Sequence, residues 1–193
     1  MSQKTRKLTT LAMLTAISAV LITLVHFPLF PSAAFLQYDP ADVAILIGTF
    51  AYGPLAGLCI TVIASFIQAF FLGGDGVYGF LMHVIASGML AVVAGTIYRY
   101  QHSRTGGLVS LIAGTLAMGI TMMVANHFIT PYFMGVPTAV VDGMLLPVIL
   151  PFNLLKAGIN SIITFAVYKT VSRHVIHGEG WERKVPAKLE SES

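Results

Sequence analysis

The chain has 193 residues, of which 56% are hydrophobic and only 10% charged, with a formal net charge of +3. Ordinary soluble domains carry about a quarter charged residues, so this composition, with a mean hydropathy of +0.82, excludes a protein whose main solvent is water. A membrane-crossing helix takes about 20 residues, which leaves room for about six spans and no separate soluble domain.

Pro, Gly and polar clusters divide the chain into six apolar runs: Leu8–Phe27, Val43–Tyr52, Leu55–Leu72, Tyr78–Tyr98, Leu108–Phe128 and Leu150–Ser172. The first follows Lys4, Arg6 and Lys7 and precedes the small residues Ser32, Ala33 and Ala34. Its apolar stretch exceeds the roughly 7–15 residues of a signal-peptide core, so it reads as a retained span. Within it, Thr9, Ala12, Ala16, Ala19 and Thr23 keep to about an 80° arc at 100° per residue. Such a stripe of small residues lets another helix approach closely, and the neighbour is either a partner protein or a helix of this same chain.

The second run is too short to cross alone. Asp39-Pro40-Ala41-Asp42 extends it as a cap with proline in the first turn, and Tyr52-Gly53-Pro54 turns the chain into the third. The single cysteine, Cys59, lies in an apolar run and reads as a small buried hydrophobe, with no disulfide to form. Gln68 lies near the end of the third run; Gly73-Gly74-Asp75-Gly76 follows as a glycine-rich turn lacking the Lys-Ser/Thr of a phosphate-binding loop. Asn126 lies near the end of the fifth run, and Pro131-Tyr132-Phe133-Met134 reads as an aromatic loop after it. In the sixth, Asn153, Lys156 and Asn160 fall within about a 60° arc, and Thr164 extends that face.

Charge placement orients the runs, because Lys and Arg favour cytoplasmic loops. Lys4, Arg6, Lys7, Arg99, Arg104, Lys169, Arg173, Arg183, Lys184 and Lys188 all fall on one side if both termini are cytoplasmic. The other side then carries Asp39, Asp42, Asp75 and Asp142. The expected architecture is therefore an all-α integral membrane domain of six helices over residues 1–172, with a polar cytoplasmic tail over 173–193.

Lys156 is the one basic residue this arrangement leaves inside the membrane. A charge at the bilayer centre costs about 2.5–3.5 kcal/mol even on the lenient insertion scale, so such a lysine is a functional candidate. Snorkelling to the outer surface would explain Lys156 but not its asparagine neighbours. Gln68 and Asn126 sit at a similar depth, and an amide both donates and accepts, as recognition of a heterocycle edge requires. The six histidines form no ligand pair within a span, so no metal site is expected. With no ATPase motif in the chain, energy for any pumping must come from a partner.

These residues resemble the substrate-binding S components of energy-coupling factor (ECF) vitamin importers, specifically the riboflavin-binding branch. The resemblance covers nearly the whole chain. It rests on Ala12-x-x-x-Ala16 after a basic start, Phe35-Leu36-Gln37-Tyr38-Asp39-Pro40-Ala41-Asp42, Gly53-Pro54-Leu55-Ala56-Gly57, and Asn153-Leu154-Leu155-Lys156-Ala157-Gly158. It implies a multi-pass protein of a prokaryotic cell membrane, not an enzyme, that captures riboflavin from outside. That protein would dock on a membrane coupling protein carrying two cytoplasmic ATPases. Ala12 and Ala16, with Ala19 on the same stripe, would face the coupling protein. Asn126, Asn153 and Lys156 would hold polar edges of the vitamin, Leu36, Gln37, Tyr38 and Asp39 would close over it, and Gln68 and Asn160 join the set by position. The family loop often carries Lys where this chain has Gln37, which opens flavin mononucleotide as an alternative ligand. Rival readings are an S component for pantothenate, thiamine or biotin, a membrane lipid enzyme, which would want paired carboxylates or a metal cluster inside the membrane, and a structural scaffold.

Overall fold

The computed structural model describes residues 2–72 and 75–171. The expected tail over 173–193 and the Gly73-Gly74 pair lie outside the described residues. Among the described residues seven α-helices run in chain order: α1 (Gln3–Leu24), α2 (Ala41–Tyr52), α3 (Pro54–Phe71), α4 (Gly76–Tyr100), α5 (Arg104–Met134), α6 (Thr138–Met144) and α7 (Leu150–Val171). Between α1 and α2 the chain forms two short strands, β1 (Phe27–Pro28) and β2 (Gln37–Tyr38), around a 3-10 turn at Pro31–Ala33.

Among the described residues, counting Thr138–Tyr168 as one stretch, five helices are long and apolar enough to cross a membrane, and α2 is a shorter apolar helix of 12 residues. Its shortness has a physical reason. Every residue from Ala41 to Phe50 is buried, because α2 packs against α1, α3, α4 and α7. Its ends therefore meet protein rather than lipid, and only lipid-facing backbone must span the full hydrocarbon thickness. Leu46 and Phe50 join Leu90, Leu111, Met118 and Ala157 in one core cluster, while Val43, Ala44, Ile45 and Ile47 join Leu14 and Ile60 in another.

Two boundaries and the burial of one residue differ from the sequence-based expectation. Helix α5 continues past Phe128 through Pro131 to Met134, so Tyr132 and Phe133 are helical rather than in a loop. The last span is preceded by α6 and a π-helical turn at Leu145–Ile149, where the Leu150 N–H reaches back to the Leu145 carbonyl. Pro147 and Pro151 remove two backbone donors there, and a widened turn re-pairs what remains. Cys59 is exposed on α3, not buried.

Helices α2, α3 and α4 approach closely around Thr49. A Cβ added to Gly57 would collide with the Thr49 hydroxyl and lie 3.2 Å from the Ala91 Cβ; one added to Gly95 would lie 3.1 Å from the Pro54 Cα. Gly53, with φ of 94°, permits the turn that brings α3 back against α2. Gly57→Leu should therefore lower stability by about 1–3 kcal/mol, read as a lower melting temperature in detergent. An unchanged melting temperature would mean that α2 and α3 do not meet at this point.

Candidate functional site

The site begins with the loop after α1. Strands β1 and β2 pair antiparallel, with Phe27 opposite Tyr38, and the two rings pack at 5.4 Å between centroids. This ribbon lays Tyr38 and Asp39 across α7. Beneath it, Ala33 and Leu36 bury themselves against Val141, Ile149 and Phe152, so α6 and the π-helical turn form the seat of the loop.

Asn153, Lys156, Asn160 and Thr164 are spaced three, four and four along α7, which keeps them on one face, and all four are buried. Lys156 donates to Asp39 Oδ2 at 2.7 Å. With 7% of its surface exposed it does not snorkel. The other Asp39 oxygen accepts the Ala41 N–H at 3.1 Å and so caps α2. Burial opposes ionisation of Asp39, but the Lys156 ammonium outweighs it and holds the carboxyl below the usual range.

Asn160 donates to the Asp39 carbonyl at 3.0 Å and to Asp42 Oδ2 at 2.9 Å, and accepts from the Tyr38 hydroxyl at 2.9 Å. Ser87 on α4 donates to the remaining Asp42 oxygen. Asp39 and Asp42 are buried, at 2% and 0% exposure, and this network of donors makes their burial tolerable.

A cavity of about 170 Å³ opens beside the network, between the loop and helices α3, α4, α5 and α7. Leu36, Gln37, Asp39 and Gln68 line it, as do Asn126, Asn153 and Lys156. Tyr38 and Asn160 do not: their polar atoms are consumed in the network behind the wall. Asn126 donates to the Met122 carbonyl at 2.7 Å and accepts from Thr130 at 2.8 Å. Asn153 donates to the Ile149 carbonyl at 2.8 Å. Phe35, Tyr78, Phe133 and Phe152 supply aromatic wall. The wall thus combines flat apolar surface with a few amides and one ion pair, suited to a planar molecule with a polar edge.

Sequence reasoning missed His83. It lies in the cavity wall and shares a hydrogen bond between its Nδ1 and Gln68 Oε1. The signal was present, since a histidine between Met82 and Val84 in a spanning helix merits the question asked of Lys156.

On α1, Ala12 and Ala16 are exposed and Ala19 is half-buried. Thr10, Leu14, Thr15, Ser18 and Ile22 form the face that packs inward.

Fold and cavity together define a helical membrane protein built to bind a small ligand near one end of its bundle. A family model described as "ECF transporter, substrate-specific component" matches residues 6–168. The chain belongs to that family, and is a membrane transport component, not an enzyme. Riboflavin transporter RibU of Staphylococcus aureus is 28% identical over 88% of this chain and 92% of its own length. Riboflavin transporter FmnP of Bacillus subtilis is 32% identical over 86% of this chain and 91% of its own. A solved structure of the S component of a bacterial ECF transporter superposes with a TM-score of 0.77 at 30% identity, covering 88% of this chain and 97% of the other.

Removing one partner of a buried ion pair costs about 3–5 kcal/mol, largely because the other charge is left uncompensated. Lys156→Met and Asp39→Asn should each lower the melting temperature of the purified protein markedly. The double variant should be more stable than the sum of the two losses allows. Strictly additive losses would show that the two side chains do not pair.

Proposed function

We propose that this chain is the riboflavin-capturing subunit of an ECF-type importer in a bacterial plasma membrane. The observation that carries the reading is a cavity walled by aromatic side chains together with Asn126, Asn153 and Lys156, in a chain whose relatives are named riboflavin transporters. An isoalloxazine ring is apolar on both faces and carries its carbonyls and N–H along one edge. Asn126 and Asn153 can answer that edge both as donors and as acceptors. Lys156 has further N–H groups beyond the one held by Asp39, and these can reach a ring carbonyl or a ribityl hydroxyl. The loop over Leu36, Gln37, Tyr38 and Asp39 covers the ligand, with Tyr38 and Asn160 holding the loop rather than the vitamin. Flavin mononucleotide is the alternative ligand, and Gln37, exposed at the cavity edge, is the position that would meet its phosphate.

In this reading the chain crosses the membrane six times, α2 being the sixth element, with both termini in the cytoplasm. Lys4, Arg6, Lys7, Arg99 and Arg104 then lie on the inner side and the cavity opens outside. The exposed face of Ala12 and Ala16, continued by Ala19, meets a transmembrane coupling protein that carries two cytoplasmic ATPases. Riboflavin is cargo here, not a cofactor.

Purified protein should quench riboflavin fluorescence on titration, and pantothenate, thiamine and biotin should not compete. Folded protein that leaves the fluorescence unchanged would overturn the ligand. Replacing Ala12 and Ala16 with leucine should abolish uptake and association with the ATPases while quenching persists. Loss of quenching in that variant would instead make the stripe internal packing.

A further inference from the structure

Two buried side-chain atoms have no hydrogen-bond partner among the described residues, Ser65 Oγ and His83 Nε2. Only His83 belongs to the cavity wall. The residue is buried, with 9% exposure. The tautomer follows from the neighbour. With the Gln68 carbonyl oxygen facing Nδ1, Nδ1 of the neutral ring donates to it and Nε2 is left as an acceptor. A buried acceptor left unmatched is destabilising, and it is tolerated most readily where a ligand supplies the missing donor.

We infer that His83 Nε2 accepts a hydrogen bond from an N–H or O–H of the bound ligand, so that His83 is a specificity-determining contact and Gln68 its positioning residue. The inference rests on the riboflavin reading above and deepens it. Across the cavity Lys156 offers only N–H groups, and the Asn126 oxygen already accepts from Thr130. An acceptor on α4, across from α7, would let the site reject flavins whose donors are blocked. A site built around a polar partner discriminates strongly against an analogue that lacks it, because its own group is then left unpaired.

The imide N–H and the ribityl hydroxyls are the two donors riboflavin can offer, and two analogues separate them. 3-Methylriboflavin lacks the imide N–H, and lumiflavin lacks the ribityl chain. Fluorescence titrations of wild type and His83→Met with all three flavins form a cycle. His83→Met should bind riboflavin about tenfold more weakly. One of the two analogues should lose affinity on wild type but suffer no further loss on the variant. His83→Gln, which retains an acceptor, should recover much of the riboflavin affinity. Should the methionine variant not fold, the imidazole nitrogen spectrum of ¹⁵N-histidine-labelled wild type reads the same contact, and riboflavin should move the His83 Nε2 resonance upfield. Riboflavin binding equal to wild type in His83→Met, fully additive losses with both analogues, or an unmoved Nε2 resonance would each overturn the inference. A wild type that binds no flavin would overturn the ligand reading and this inference with it. A wild type that binds riboflavin while His83 proves indifferent overturns this inference alone.

Discussion

A lysine among transmembrane helices must find an anion, and Lys156 finds Asp39 at 2.7 Å. Much else follows from that contact. Asp39 sits at the end of a loop and at the start of α2, so one ion pair fixes both the loop and the helix against α7. The same carboxylate caps α2 through the Ala41 N–H. Asn160 then ties the Asp39 carbonyl to Asp42, and Asp42 reaches Ser87 on α4. A chain of polar contacts thereby joins the loop, α2, α4 and α7. Buried polar networks add little net stability when complete but are costly when broken. Their contribution is to select one arrangement of the helices, and this one leaves a cavity.

The outward surfaces follow a different logic. Leu8, Met13, Ile17, Val20 and Leu24 are exposed along α1, as are Phe66, Phe70 and Phe71 on α3. In water such faces would drive aggregation; in lipid they are the expected solvent-facing surface. The half of the bundle holding Lys4, Arg6, Arg99 and Arg104 is opposite the half that holds the cavity. Ligand capture and the small-residue face of α1 accordingly occupy different parts of the molecule, and the ion pair lies with the former.

Much of this was legible from local periodicity. The six apolar runs, the turn at Gly53-Pro54 and the polar face of α7 all come from spacing within one helix, and the structure keeps them. What escaped depends on contacts between distant segments. The partner of Lys156 is 117 residues away and that of Tyr38 is 122 away, and no window of helical spacing connects them. The donors that bury Asp39 and Asp42 lie on α4 and α7, beyond the reach of local spacing. Proline misled locally: Pro131, expected in a loop, sits inside α5, and a π-helical turn that contains Pro147 precedes α7. Tyr38 and Asn160 had the residue types of ligand contacts, yet they spend their hydrogen bonds on holding the loop.

The central claim is that the loop, pinned to α7 by Asp39 and Lys156, closes a flavin-binding cavity against α4 and α5. A crystal structure of the protein grown with riboflavin tests this most directly. The account predicts the isoalloxazine ring between the loop over residues 35–39 and the α5 and α7 walls, its polar edge on Asn126 or Asn153, with the Asp39–Lys156 pair intact behind it. Riboflavin bound on another surface, or bound in the cavity with Asp39 and Lys156 parted, would contradict it.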